Sequence, residues 1–284
     1  MAEATEQSRI TTREKLIEAG KEYNLLSDAF MSVALRDIPA CQYVLRILTG
    51  IKNLKVREVR PQYRVSKIES HDAVLDVLAE DETGRLFDLE IQRADTLDHA
   101  RRTRFYSSMI DSNYLEKGKT YSDLPEVYVI YVSETDLWKA GYTTYELEKK
   151  FRKSNVSYDD GQHVLYINAA VNDGSETAKL MDYFKTADPD DMEHGELSQR
   201  VHFLKCDEGG LSEMCEVTER IYKMGREDGR DEGRAEGREE EKQATARNLF
   251  KLGIPVETIA KAVEVNINLV KEWLSGNGNT STAG

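Results

Sequence analysis

The chain has 284 residues, 39% of them hydrophobic and 32% charged, and a formal net charge of −13. That length can bury a sizeable core without disulfides or structural metal, and the acidity argues against a protein that coats nucleic acid through bulk electrostatics. No stretch reaches the roughly 18 to 20 apolar residues of a membrane span, and the polar opening MAEATEQSRITTREK is unlike a signal peptide.

The first dozen residues read as frayed, and a helical pattern runs from Thr12 to about Thr49 with a break at Pro39. Residues 55–68 read as an extended basic segment in which Val56, Val59, Tyr63 and Val65 supply the apolar positions. A hairpin follows: Ala73 to Ala79, the turn-forming run Glu80 to Arg85, and Leu86 to Gln92. A helix is predicted from about Thr96 to Lys117, stopping at Gly118. Val127 to Val132 and His163 to Ile167 read as buried strands, and residues 175–187, 194–205 and 211–224 as helices covering a sheet. This order predicts an α/β or α+β domain over residues 12–222.

Residues 223–241 change character: Gly-Arg recurs every four residues from Gly225 to Arg238, with acids between. Either a helix with one glycine stripe or a charged linker satisfies this pattern. Residues 242–276 read as a helical module with Gly253-Ile254-Pro255 between two of its helices; the spacing suits a helix-turn-helix or a packing module equally. The tail Gly276–Gly284 is disordered by composition. The three cysteines, Cys41, Cys206 and Cys215, lack the spacing of a disulfide scaffold or zinc site, so a reducing, cytoplasmic setting is expected.

The hairpin carries the chemistry. Its second strand alternates Phe87, Leu89 and Ile91 on one face with Asp88, Glu90 and Gln92 on the other, and Asp76 interrupts an apolar first strand. With the turn near Glu82-Thr83, paired positions sum to about 165–167, which makes Asp76 and Glu90 cross-strand neighbours. Two crowded carboxylates in an apolar setting repel unless a cation joins them, and oxygen ligands select Mg²⁺ or Mn²⁺. Such an ion can activate water for phosphodiester hydrolysis. An ordinary amphipathic hairpin with one solvent face is the competing reading. Two basic clusters bracket the hairpin, and Lys55, Arg57, Arg60, Arg64, Lys67, Arg101, Arg102 and Arg104 are the candidate DNA-phosphate contacts, a solvated face being the alternative.

Asp76, a thirteen-residue gap and Glu90-Ile91-Gln92 resemble the PD-(D/E)XK nuclease signature, with Gln92 in place of the usual lysine. Leu75-Asp76-Val77, Gly84-Arg85 and Leu89-Glu90-Ile91-Gln92 are similar to the recombination-promoting nuclease/putative transposase family, which carries glutamine there. Asp28, the Arg101–Tyr106 helix, Tyr121 to Pro125 and the Gly-Arg repeat extend the likeness over about residues 20–275, although Met31 stands where a lysine is common. The resemblance implies a restriction-endonuclease-like α/β core, a central mixed sheet flanked by helices, and metal-dependent DNA cleavage. It implies that Asp76 and Glu90 hold Mg²⁺ or Mn²⁺ with the Ile91 carbonyl as third ligand. Gln92 would orient the attacking water, and Asp28 would hold a metal-bound water or a second ion. DNA is the implied partner; a homodimer paired through residues 225–241 is expected from the glycine stripe and its alternating charges. A catalytically silent DNA-binding protein and a protein-interaction scaffold are the alternatives.

Overall fold

The computed structural model describes residues 22–65, 73–93, 98–115 and 117–275, and of residues 216–236 the backbone alone. Lys67, the N-terminal dozen and the tail Gly276–Gly284, all named above, lie outside the described residues. The chain divides into two compact units, Met1–Glu219 and Arg220–Gly284.

In the first unit, the described residues form a six-stranded mixed sheet in the order β1-β2-β3-β4-β6-β5. The strands are β1 (Val56–Val65), β2 (Ala73–Asp81), β3 (Leu86–Gln92), β4 (Val127–Ser133), β5 (Thr144–Glu146) and β6 (Gln162–Asn168). β1, β2 and β3 are antiparallel neighbours, β3, β4 and β6 run parallel, and β5 returns antiparallel to β6. Parallel β3 and β4 require a crossover, which helix α3 (His99–Tyr114) supplies. The sheet is therefore covered on both faces.

One face packs on α1 (Asp28–Ala34), α2 (Ile38–Thr49), α4 (Glu176–Thr186) and α5 (Gly195–Cys206). Val77, Ala79, Phe87, Leu89, Ile91, Ile130 and Val132 of the sheet join Phe30, Leu45, Phe184 and Val201 of these helices in one buried cluster. The other face packs on α3, where Met109 and Ile110 meet Leu75, Leu78, Leu86, Val127 and Val129. Strict alternation fails once: Leu75 and Leu78 both reach the α3 side, so the pleat slips at Asp76 and Val77. Across from Asp76, Gln62 of β1 has φ 50°, a left-handed conformation uncommon for a non-glycine residue. The irregularity falls beside the candidate site.

The β2–β3 turn is built by Asp81, whose carboxylate accepts from Thr83 N–H at 2.9 Å, Arg85 N–H at 3.0 Å and Arg85 Nε at 2.8 Å. Gly84 supplies the positive φ, 86°, that closes it.

Three element boundaries differ from expectation. The first helical pattern breaks at Leu35–Asp37, before Pro39, because Asp37 caps α2 by accepting from Ala40 N–H at 3.0 Å. Pro39 then sits in the first turn of α2, where a missing N–H costs nothing. The expected 211–224 helix is part of α6 (Glu208–Lys251), 44 residues long, so the Gly-Arg segment is helical. The short strand β5 has no counterpart in the sequence pattern.

In the second unit, α7 (Val256–Ala262) and α8 (Ile267–Ser275) follow Gly253-Ile254-Pro255. Ala246, Ile259, Val263, Val270 and Trp273 form their small core. Glu264, in the turn between α7 and α8, has φ 53°.

Candidate active site on the β2–β3 hairpin

The β2–β3 ladder pairs Val77 with Leu89, Leu78 with Asp88, Ala79 with Phe87 and Glu80 with Leu86, a constant position sum of 166. One further step sets Asp76 opposite Glu90, within the register expected from the turn. There the backbone ladder ends and side chains take over. Asp76 N–H donates to Glu90 Oε1 at 3.0 Å, and Ile91 N–H donates to Asp76 Oδ2 at 3.0 Å. Each acid thus clamps the other strand with one oxygen and keeps one to spare. Gln62 Nε2 makes a long 3.5 Å contact to Asp76 Oδ1.

The site's electrostatics are unfavourable as they stand. Burial pushes the Asp76 carboxyl up from its ordinary 3.8 to about 6, opposed by the Ile91 amide and assisted by the negative charge of Asp28. Glu90 is 5% exposed, and burial followed by the charges of Asp88 and Asp76 raises it well above the usual carboxylate range. Asp88, on the same face of β3, is 0% exposed and likewise raised, burial again dominating. With both carboxyls ionised, neither oxygen of Asp88 has a donor. A proton retained by Glu90 gives Asp88 its hydrogen bond, so the pair carries less than two full charges in the absence of a cation.

Asp76, Glu90 and the Asp88 that shares a proton with Glu90 form a buried acidic patch short of positive charge. Among the described residues, no group of three or more His, Cys, Asp or Glu side chains is arranged to hold one ion. The donors are instead two carboxylates on adjacent strands. That set fits Mg²⁺ or Mn²⁺, since a small hard cation binds through one or two carboxylates and keeps several waters for exchange with phosphate oxygens.

The other candidates are distributed around this pair. Asp28, the first residue of α1, lies within electrostatic reach of Asp76, and burial raises it while Arg93 lowers it. Gln92 accepts from Arg102 Nη1 of α3 through its side-chain oxygen. Arg101 and Arg104 are exposed on α3. The β1 cations are engaged by acids: Lys55 lies 3.6 Å from Glu82, Arg57 pairs with Glu80, and Arg60 pairs with Glu58 at 2.6 Å while donating to Tyr114. Arg64 also has a partner. That face is therefore a network of mixed charge, and α3 carries the more available cations.

Sequence reasoning placed Asp88 on the face of Glu90 and Gln92 without assigning it to the site. Arg102, a candidate phosphate contact in the sequence, donates to Gln92 in the fold. The Asp-x-Glu-x-Gln alternation signalled Asp88; the Arg102 contact depends on the crossover and has no local signal. Tyr106 closes the Arg101–Tyr106 stretch that carries the resemblance, without a site role assigned to it there. Burial and the neighbouring Glu90 raise its hydroxyl, which stays a protonated donor beside the acids.

No curated protein and no solved structure matches the chain. The model of the PD-(D/E)XK nuclease family transposases matches residues 47–226, more than half of the chain, and that span holds the hairpin, α3 and the whole sheet. By that match and a mixed sheet presenting Asp76 and Glu90 from one hairpin, the chain belongs to the PD-(D/E)XK nuclease family transposases.

Proposed function

We propose that the protein is a divalent-metal-dependent DNA endonuclease that hydrolyses phosphodiester bonds, linked to recombination or mobile DNA. The observation that carries this reading is the reciprocal clamp of Asp76 and Glu90, which leaves two spare carboxylate oxygens on one poorly compensated acidic patch. Asp76, Glu90 and the Ile91 carbonyl would hold Mg²⁺ or Mn²⁺. When bound, that ion polarises the phosphate and lowers the pKa of water. The chain's own groups do the rest. Gln92 presents its amide N–H₂ to orient the attacking water, Asp28 holds a further water, and Arg101 and Arg104 contact the DNA backbone together with Lys55, Arg57, Arg60, Arg64 and Lys67.

In this reading residues 12–222 are the nuclease domain, 223–241 a spacing or pairing helix and 242–276 a helical module. The enzyme acts in the cytoplasm, which suits three free cysteines, and pairs as a homodimer. No described helix is long and apolar enough to cross a membrane. A second reading, a silent DNA-binding member of the fold, is favoured by one observation: Gln92 supplies no positive charge where the signature has lysine. Incubating supercoiled plasmid with the full-length protein and Mg²⁺ or Mn²⁺ separates them. Nicked or linear product that vanishes with EDTA and with Asp76→Ala supports the nuclease, whereas DNA retention without cutting supports the silent binder.

A further inference from the structure

Gln92 poses a chemical difficulty, because an amide can orient water but cannot offset the charge that builds on a phosphate under attack. The structure supplies a cation beside it. Arg102 reaches from α3 to donate through Nη1 to Gln92 Oε1. A glutamine whose oxygen is held by a guanidinium has only its N–H₂ left to present, so its orientation is fixed rather than free to flip. The charge of Arg102 also extends to Asp76, whose carboxyl it lowers, and to Tyr106 and Tyr131.

The helix that delivers Arg102 is pinned on both sides of it. His99 Nδ1 and the Tyr131 hydroxyl are 3.0 Å apart, and the hydroxyls of Thr103 and Tyr166 are 2.8 Å apart. All four residues are buried. These contacts tie α3 to β4, the strand beside β3, and to β6 next to it, and so set Arg102 over Gln92 as part of the fold. A side chain held by buried polar contacts on rigid elements is preorganised rather than recruited.

We propose that Arg102 is the positioning residue for Gln92 and that the two together replace the missing lysine: Gln92 supplies the aimed donor and Arg102 the positive charge. The proposal rests on the nuclease reading and adds to it a residue from another element.

The test relocates the charge in the full-length protein, using R102L, R102K, Q92K and the double variant R102L/Q92K. Single-turnover cleavage of plasmid with Mn²⁺ gives rate and DNA affinity separately; Mn²⁺-induced thermal stabilisation and urea unfolding are read without turnover. R102L is expected to lower the cleavage rate by about a hundredfold or more, the loss seen when one transition-state donor is removed. Its DNA affinity and its Mn²⁺ stabilisation stay close to wild type. R102K, which keeps charge without the planar fork, falls between R102L and wild type. R102L/Q92K recovers at least tenfold over R102L, because a single cation again stands in the site. Loss of DNA affinity with an unchanged rate in R102L, or no recovery in the double variant, overturns the proposal. The unfolding data decide even if wild type cuts nothing, an outcome that removes the nuclease reading by itself. Q92K should lower the urea midpoint beside Arg102 by like-charge repulsion and not in the R102L background; equal shifts in both backgrounds overturn the pairing.

Discussion

Asp76→Asn should make the metal-free protein more stable and abolish its cleavage, and the pH at which the stability appears identifies the cause. The Asp76 carboxyl titrates at about 6 in the folded protein against an ordinary 3.8, a gap of about two units, and each unit is worth about 1.4 kcal/mol. A folded-state value above the unfolded one means that the native state holds the proton more tightly. Stability is therefore lost as pH rises from about 4 to 6 and stays lost above that. The Ile91 amide bond already opposes this shift, so the gap is a net effect. An asparagine of the same shape escapes the penalty. The variant should match wild type near pH 4 and exceed it by about 3 kcal/mol at about pH 8 in EDTA. Urea unfolding followed by circular dichroism at several pH values gives the difference directly. Adding Mg²⁺ or Mn²⁺ should narrow the gap, because the ion stabilises wild type by about 2.7 kcal/mol at a hundred times its dissociation constant and has little hold on the variant. A difference that does not change with pH would refute the reasoning, since removal of a charge would not be its origin.

Asp88→Asn should also raise metal-free stability at about pH 8, by about 1 to 3 kcal/mol, since it removes a buried charge whose oxygens have no donor when ionised; urea midpoints in EDTA check it. Glu264→Gly should stabilise the second unit by up to about 1 kcal/mol, because the φ of 53° strains any side chain, and thermal unfolding of the full chain would show the shift. Truncation after Tyr222 should weaken a homodimer while leaving the sheet folded, as sedimentation of both forms over micromolar concentrations would show; two monomers would reduce residues 225–241 to a connecting helix.

The parts of this molecule that could be read from sequence are those set by local periodicity. The alternation of Phe87, Leu89 and Ile91 against Asp88, Glu90 and Gln92, with Gly84 in a short turn, is enough to predict a register that leads to Asp76 beside Glu90: the ladder runs as far as Val77 and Leu89, and the bond from Asp76 N–H to Glu90 follows it. Apolar runs marked β4 and β6 for the same reason. Long-range effects were not legible. Pro39 predicts a break because proline disrupts helix interiors, but the side chain of Asp37 makes the same residue part of a helix start. The sequence shows the cations of β1 as a basic run, and Glu80 of β2 comes beside Arg57 only once the strands pair. Arg102 and Tyr106 come within electrostatic reach of the acids because the β3–β4 crossover packs α3 on that face of the sheet, which no spacing in the sequence encodes. The slip of the pleat at Asp76, facing the left-handed Gln62, likewise needs both strands to exist.

If Asp76 and Glu90 act as one divalent-metal site, removing either carboxylate removes the ion. Calorimetric titration of Mn²⁺ into the full-length protein at about pH 8 tests it most directly, because the carboxyls are then deprotonated or lose their protons to the ion. Wild type should bind a single ion with proton release, and Asp76→Asn and Glu90→Gln should each lose that binding while remaining folded. Isotherms that neither substitution changes would contradict the account.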